Sequence, residues 1–212
     1  MTDYFAKAAL LPKGWSEDVL IAVDDSGAIA SIKTGVKPSR GAVRLGGPIM
    51  PGMTNLHSHA FQRAMAGLSE RAGASSQDSF WTWRDIMYKF LAKLDPRQVG
   101  AIAAQLYLEM LKSGYTTVGE FHYLHHQADG QPYDDLGEMA LRVFDAARRT
   151  GIAMTLLPVL YTYSGFGSKP ASSQQRRFVN AADRFLRLYE GLHGRYNDDP
   201  QLRVGIAPHS IR

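Results

Sequence analysis

"PGMTNLHSHAFQRAMAGLSE", residues 51–70, decides how the rest of the chain is read. It sets two histidines, His57 and His59, one residue apart just after a Pro-Gly turn. On extended backbone, residues i and i+2 share a face, so both imidazoles can address one ion. On a helix the same pair would point in nearly opposite directions. The strand-like "PIMPG" upstream favours the extended form. Neutral imidazole is a common ligand for zinc and other first-row metals. The competing reading makes both histidines hydrogen-bonded polar residues at a strand end, without metal. Position separates the two readings. The pair sits where the first strand of a parallel series should end, and in α/β barrels that end faces the active site.

The chain downstream supplies such a series. "DPRQVGAIAAQLYLEMLKSG" carries Val99, Ile102, Leu106 and Met110 at helical spacing, with Asp95 as N-cap, Pro96 in the first turn and Gly114 as the stop. "YTTVGEFHYL" is β-branched and aromatic and reads as a strand. "DDLGEMALRVFDAARRTG" is a helix with Leu136, Met139, Val143 and Ala147 on one face; "IAMTLLPVLY" is a near-continuous apolar strand. "SSQQRRFVNAADRFLRLYEG" reads as a helix with Phe178, Ala181, Phe185 and Leu188 inward, and "QLRVGIAPH" as a strand. Together with "PIMPGMTNLHSH", read as a buried strand, the order is βαβαβαβ, which implies a parallel sheet covered on its faces. Polar residues collect after each strand: Glu120, His122, Tyr123, His125 and His126; Tyr161 and Tyr163; His209 and Arg212. A shared site at one end of the sheet accounts for all of them. His125 and His126 are expected in an exposed loop, and Glu120 as a buried partner within its strand. "FWTWRDIMYKF", with Trp81, Trp83, Tyr88 and Phe90, reads as a packed amphipathic helix. Arg84 within it is costly to bury unpaired, so a carboxylate partner is expected.

Ahead of this series, "DVLIAVDDSGAIASIKT" reads as a β-hairpin turning at "DDSG". Residues 1–47 are therefore expected to form a small β domain, and 48–212 the first four β/α units of a larger fold. The 212 residues carry 24 basic and 20 acidic side chains, a net charge of +4. That balance, with scattered basic residues, is no nucleic-acid footprint. The absence of cysteine excludes disulfides and thiolate metal sites, so any ion must be held by histidine, carboxylate or water. The amino terminus does not read as a secretory signal, and no apolar run reaches the roughly 18 residues of a membrane span. A soluble, cytoplasmic protein with no membrane partner is expected.

"PGMTNLHSHAFQRAMAGL", "FWTWRDIMYKF", "AAQLYLEMLKSGYTTVGEFHYLHH" and "GIAPHSIR" together resemble the formimidoylglutamate deiminases of histidine catabolism, within the amidohydrolase superfamily. The resemblance runs from about residue 48 to the end and more weakly through the β unit. It implies an α/β fold, the N-terminal half of a (β/α)8 TIM-like amidohydrolase barrel preceded by a small β domain. It implies His57 and His59 as ligands of Zn²⁺ or another divalent first-row metal, and Gln62, Arg84, Tyr123, His209 and Arg212 as contacts to a small dicarboxylate substrate. It also implies hydrolysis of a C=N bond, giving N-formyl-L-glutamate and ammonia from N-formimidoyl-L-glutamate. The family's remaining metal ligands, a histidine and an aspartate, and its proton-shuttling glutamate and histidine lie beyond Arg212. No catalytic acid or base is therefore expected within this chain.

The barrel is incomplete here: four strands are read where eight are needed. Three arrangements would complete it: a longer enzyme of which this is a fragment, a second polypeptide, or a second copy of the chain in a homo-oligomer. The first is the expectation. Two other functions fit some of the residues. One is an aminohydrolase acting on a guanine-like ring, which would not need Arg84 and Arg212 as a two-carboxylate clamp. The other is a non-catalytic binding or assembly module.

Overall fold

The computed structural model describes residues 1–69, 80–196 and 198–211, without the Trp81 side chain. The chain divides into two compact units, Met1–Gly52 and Met53–Arg212.

The first unit is a four-stranded sheet of β1 (Thr2–Leu11), β2 (Gly14–Val23), β3 (Ile29–Lys33) and β4 (Val43–Arg44), in the order β3-β2-β1-β4. The hairpin read from the sequence is β2–β3. Its turn is held by Asp24, whose Oδ1 accepts from the Ser26 and Ala28 amides at 2.9 and 3.1 Å, while Gly27 takes the left-handed φ of +85°. The sequence reading missed β1, which pairs antiparallel with β2 along most of its length. Its alternation is blurred by Ala6, Ala8 and Ala9, yet Phe5, Ala6 and Ala9 pack with Val19 to form this unit's core. Ile49, expected at the start of the first barrel strand, instead bridges Ala9.

In the second unit, β5 (Met53–Ser58), β6 (Tyr115–His122), β7 (Ala153–Leu160) and β8 (Leu202–Val204) lie parallel in sequence order, and β9 (Ala207–Pro208) also pairs with β7. The helices are α1 (Phe80–Leu91), α2 (Pro96–Lys112), α3 (Glu138–Thr150) and α4 (Ala182–Tyr196). Their inward residues, among them Tyr107, Val143, Phe144 and Leu188, pack against Val118, Met154 and Leu156 of the sheet. Burying each large side chain contributes roughly 1.5–3 kcal/mol. The result is an open, partial barrel.

Helix α2 starts as expected. Asp95 accepts from the Gln98 amide at 2.8 Å, Gln98 returns a bond to the Asp95 amide at 3.0 Å, and Gly114 ends the turn at φ +87°.

Four local expectations are corrected. First, β5 is not buried: Met53 and Leu56 are largely exposed, because the strand lies at the sheet edge with β6 on one side only. Second, no helix runs from Ser172. A 3-10 turn at Ser173–Gln175 is followed by irregular chain until Ala182, because tertiary bonds claim the backbone: the Asn180 amide donates to Tyr161 O, and the His125 and His126 amides donate to Arg177 O. Phe178 is buried from this loop rather than from a helix face. Third, "QLRVGIAPH" is two short strands. Gly205 lies between them, where its amide donates to Leu156 O at 2.8 Å and a Cβ would lie 2.7 Å from Leu157 Cδ2, so the close approach to β7 favours glycine. Fourth, His125 and His126 are buried, not exposed.

Candidate active site

Of the residues singled out from the sequence, His57, His59, Gln62, Arg84, Tyr123, Tyr161 and His209 gather around the carboxyl ends of the parallel strands. His57 is the penultimate residue of β5, with its amide donating to Asn55 Oδ1 at 3.1 Å. His59 follows at the mouth of the 3-10 segment Ala60–Met65. Their Nε2 atoms are 3.1 Å apart, and the rings meet edge to face. His59 Nδ1 lies 2.9 Å from the Phe121 carbonyl, an acceptor only. Nδ1 therefore carries the proton, and Nε2 turns its lone pair toward His57. Burial pushes the His59 pKa down, which keeps the ring neutral. Two nitrogens about 2.0–2.1 Å from a tetrahedral zinc stand roughly 3.3 Å apart. The pair thus fits two corners of such a site. Among the described residues no group of three or more histidines or acids is placed to hold an ion. A catalytic zinc usually takes three protein ligands, so this pair is part of a set.

Glu120 anchors the pair from behind. Its buried carboxylate accepts from the Ala60 amide at 2.6 Å and from the Tyr107 hydroxyl at 3.1 Å. Burial pushes its pKa up and that of Tyr107 well up. This is the buried strand partner expected of Glu120, and it fixes where the chain leaves β5.

Beside His59 opens a cavity of about 390 Å³, with Gln62, Arg84, Tyr123, Tyr161 and His209 on its wall. His57 lies outside that wall and reaches it through His59. Gln62 Nε2 faces the Tyr123 hydroxyl at 3.3 Å, and burial pushes the phenol's pKa up. The Arg84 guanidinium lies 5.6 Å from the Tyr88 ring centroid, one helical turn along α1. His209 packs on Tyr161 with ring centroids 4.4 Å apart, and its amide donates to Leu160 O. Arg212, also expected here, lies outside the described residues. Sequence reasoning missed the aromatic wall of Phe121, Trp83 and Phe178, and it missed Gln175 beneath it. Only the polar residues at strand ends carried a signal; these others come from strand, helix and loop positions that read as ordinary core.

Comparison with known proteins gives this geometry its family. Residues 1–45 match the family described as Formimidoylglutamate deiminase HutF, N-terminal domain. Residues 49–210 match the Amidohydrolase family. The chain belongs to the amidohydrolase family. This amidohydrolase is 50% identical over all its 212 residues to the formimidoylglutamate deiminase of Pseudomonas aeruginosa, covering 46% of that protein. Its fold superposes on the crystal structure of an amidohydrolase from Brucella melitensis with a TM-score of 0.93 and 50% identity, covering the whole of this chain and 47% of that one. The atrazine chlorohydrolase TrzN of Arthrobacter aurescens, crystallised with zinc, shares the fold at a TM-score of 0.71 and 20% identity, over 98% of this chain and 46% of that one. The amidohydrolase chain therefore spans about half the length of the relatives it matches. No helix among its described residues is long and apolar enough to cross a membrane.

Proposed function

We propose that this chain supplies the amino-terminal half of the active site of a cytoplasmic, metal-dependent deiminase. The enzyme would hydrolyse the C=N bond of N-formimidoyl-L-glutamate to N-formyl-L-glutamate and ammonia. The observation that carries the reading is the convergence of His57 and His59 at 3.1 Å beside a cavity bearing Arg84, Gln62 and Tyr123. The 50% identity to a formimidoylglutamate deiminase supports the choice of substrate.

His57 and His59 would hold a divalent ion, Zn²⁺ in this reading, which when bound supplies Lewis acidity and a nucleophile at neutral pH. The Phe121 carbonyl keeps His59 in the tautomer that ligates through Nε2. Arg84 offers a planar fork to one substrate carboxylate, and Arg212, by its place in the sequence, to the other. Gln62 donates to Tyr123, so its carbonyl oxygen remains to accept from the substrate's N–H groups. Tyr123, with its pKa raised, stays a neutral hydrogen-bonding group. His209 borders the cavity from the β9 side. The water oxygen adds to the formimidoyl carbon, turning its C=N bond into a single bond; that C–N bond then breaks as the formyl C=O forms and the two protons of the water pass to the departing nitrogen. That nitrogen needs protons to leave as ammonia, and the acid that delivers them belongs to the strands that complete the barrel.

The test compares ammonia release from N-formimidoyl-L-glutamate and from guanine, using the metal-loaded protein in its completed barrel. Turnover of the first and not the second is expected; preference for guanine would overturn the substrate assignment. The 212 residues alone should bind Zn²⁺ weakly and release no ammonia, and brisk turnover by the purified chain would refute the half-site.

A further inference from the structure

Gln175 is buried in the loop after β7 and touches neither of the paired histidines. Its carboxamide makes three hydrogen bonds, and together they leave it one orientation. Oε1 accepts from the Ser172 amide at 2.8 Å. A backbone N–H can only donate, so this bond identifies the oxygen side of the amide. Nε2 then faces two phenols, Tyr161 at 2.8 Å and Tyr88 at a longer 3.3 Å. An amide nitrogen carries two donors and no acceptor, so both phenol oxygens accept and neither phenol proton points at Gln175. Both tyrosines line the cavity beside His59. They come from separate elements, Tyr161 just past β7 and Tyr88 from helix α1; both also flank the Phe178 ring, and Gln175 hydrogen-bonds to both phenols. Tyr88 also lies one helical turn from Arg84, beneath its guanidinium.

We propose that Gln175 is a positioning residue that sets the hydrogen-bond polarity of Tyr88 and Tyr161. By occupying both phenol oxygens from below, it turns the two hydroxyls into donors toward a substrate carboxylate held by Arg84. The proposal rests on the dicarboxylate reading of the site. It differs from a merely structural role because the sign of the hydrogen bond matters, not only its presence.

Two substitutions of similar size separate these roles. Gln175→Glu keeps the bond from Ser172, but its second oxygen can only accept while ionised, so both phenol protons turn away from the cavity. Gln175→Met removes the polarity and keeps the volume. In the completed, metal-loaded enzyme, Gln175→Glu should raise KM for N-formimidoyl-L-glutamate about tenfold or more while changing kcat about twofold at most. Gln175→Met should raise KM about threefold. The ratio of Gln175→Glu to parent KM should shrink as pH falls toward 5, where a protonated carboxyl regains a donor. Adding Tyr161→Phe to Gln175→Glu should raise KM less than it does in the parent. Equal KM effects of the two Gln175 substitutions, or a pH-independent ratio, would overturn the proposal. If the parent turns over no N-formimidoyl-L-glutamate, the functional reading fails by itself. The same variants are then read by calorimetric binding of glutarate, a plain dicarboxylate. Weaker binding by Gln175→Glu than by Gln175→Met sustains the polarity role; equal binding, or none by the parent, ends it.

Discussion

Two groups of histidines lie on neighbouring strands and do opposite things. His57 and His59, at the end of β5, turn their Nε2 atoms toward each other at 3.1 Å. His122, His125 and His126, at and just past the end of β6, are buried. His125 gives Nε2 to the Val159 carbonyl at 3.0 Å, and His126 gives Nε2 to Val179 O and Asn180 Oδ1 at 3.0 and 3.1 Å. Arg177 closes the second group by donating from Nε to His126 O and from Nη1 to Leu91 O. His59 also commits one nitrogen to a carbonyl, Phe121 O, so such a bond does not by itself make a strut. Nε2 of His57 and of His59 face each other, whereas Nε2 of His125 and of His126 faces carbonyl oxygens that tie loops together. Residue type does not separate these two pairs; the partner of Nε2 does.

The comparison can be broken from either side. The largest effect is expected at the first group. His57→Ala or His59→Ala should abolish stoichiometric metal binding and cut kcat/KM by roughly 10³ or more in the completed enzyme, with little change in Tm. Metal analysis of the purified variant checks this, and full metal content in either variant would make the pair structural. The second group should respond the other way. His125→Ala should cost about 3 kcal/mol of stability by leaving a cavity and an unmatched carbonyl, while metal content stays at the parent level. Denaturant midpoints and metal analysis on one sample decide it.

Arg84→Lys sharpens the contrast between ligand and substrate contacts. It keeps the charge and loses the fork, so KM should rise about tenfold with metal content unchanged. The smallest effect per step is in pH. Burial pushes His125 down to about 4 and His122 down to about 3, against an ordinary value of 6.5. Between pH 6.5 and about 4 the unfolded chain takes up protons that the folded chain refuses. Stability should therefore fall with pH by up to about 1.4 kcal/mol per unit for each ring. It should level off once the folded rings protonate too. His125→Gln should make that slope shallower by one proton, and an unchanged slope between about pH 6.5 and 5 would show that His125 is not the source.

Much of the barrel unit was legible because its signals are local. Helix α2 announces itself through Asp95, Pro96 and Gly114, and β7 through an unbroken apolar run. His-x-His carried the site because a two-residue period on extended backbone is itself a statement about direction. The failures share one cause. The helical spacing of Phe178, Ala181 and Phe185 could not reveal that residues 176–181 spend their backbone bonds on Tyr161, His125 and His126. The exposure of β5 could not be read from apolar content, because it depends on which neighbour lies beside the strand. His125 and His126 look like polar loop residues until the carbonyls that receive them are known.

By itself, then, the sequence determined the alternation of strands and helices, the end of the sheet that bears polar groups, and the pair of imidazoles able to share an ion. These follow from periodicity, capping and the pleat, which act over a few residues. The tertiary structure alone decided which ring nitrogens remain open, which phenols Gln175 reaches, and how Glu120 pins the exit from β5. Those outcomes depend on hydrogen bonds between residues 13 to 87 positions apart, and no local pattern encodes which partner folding brings within reach.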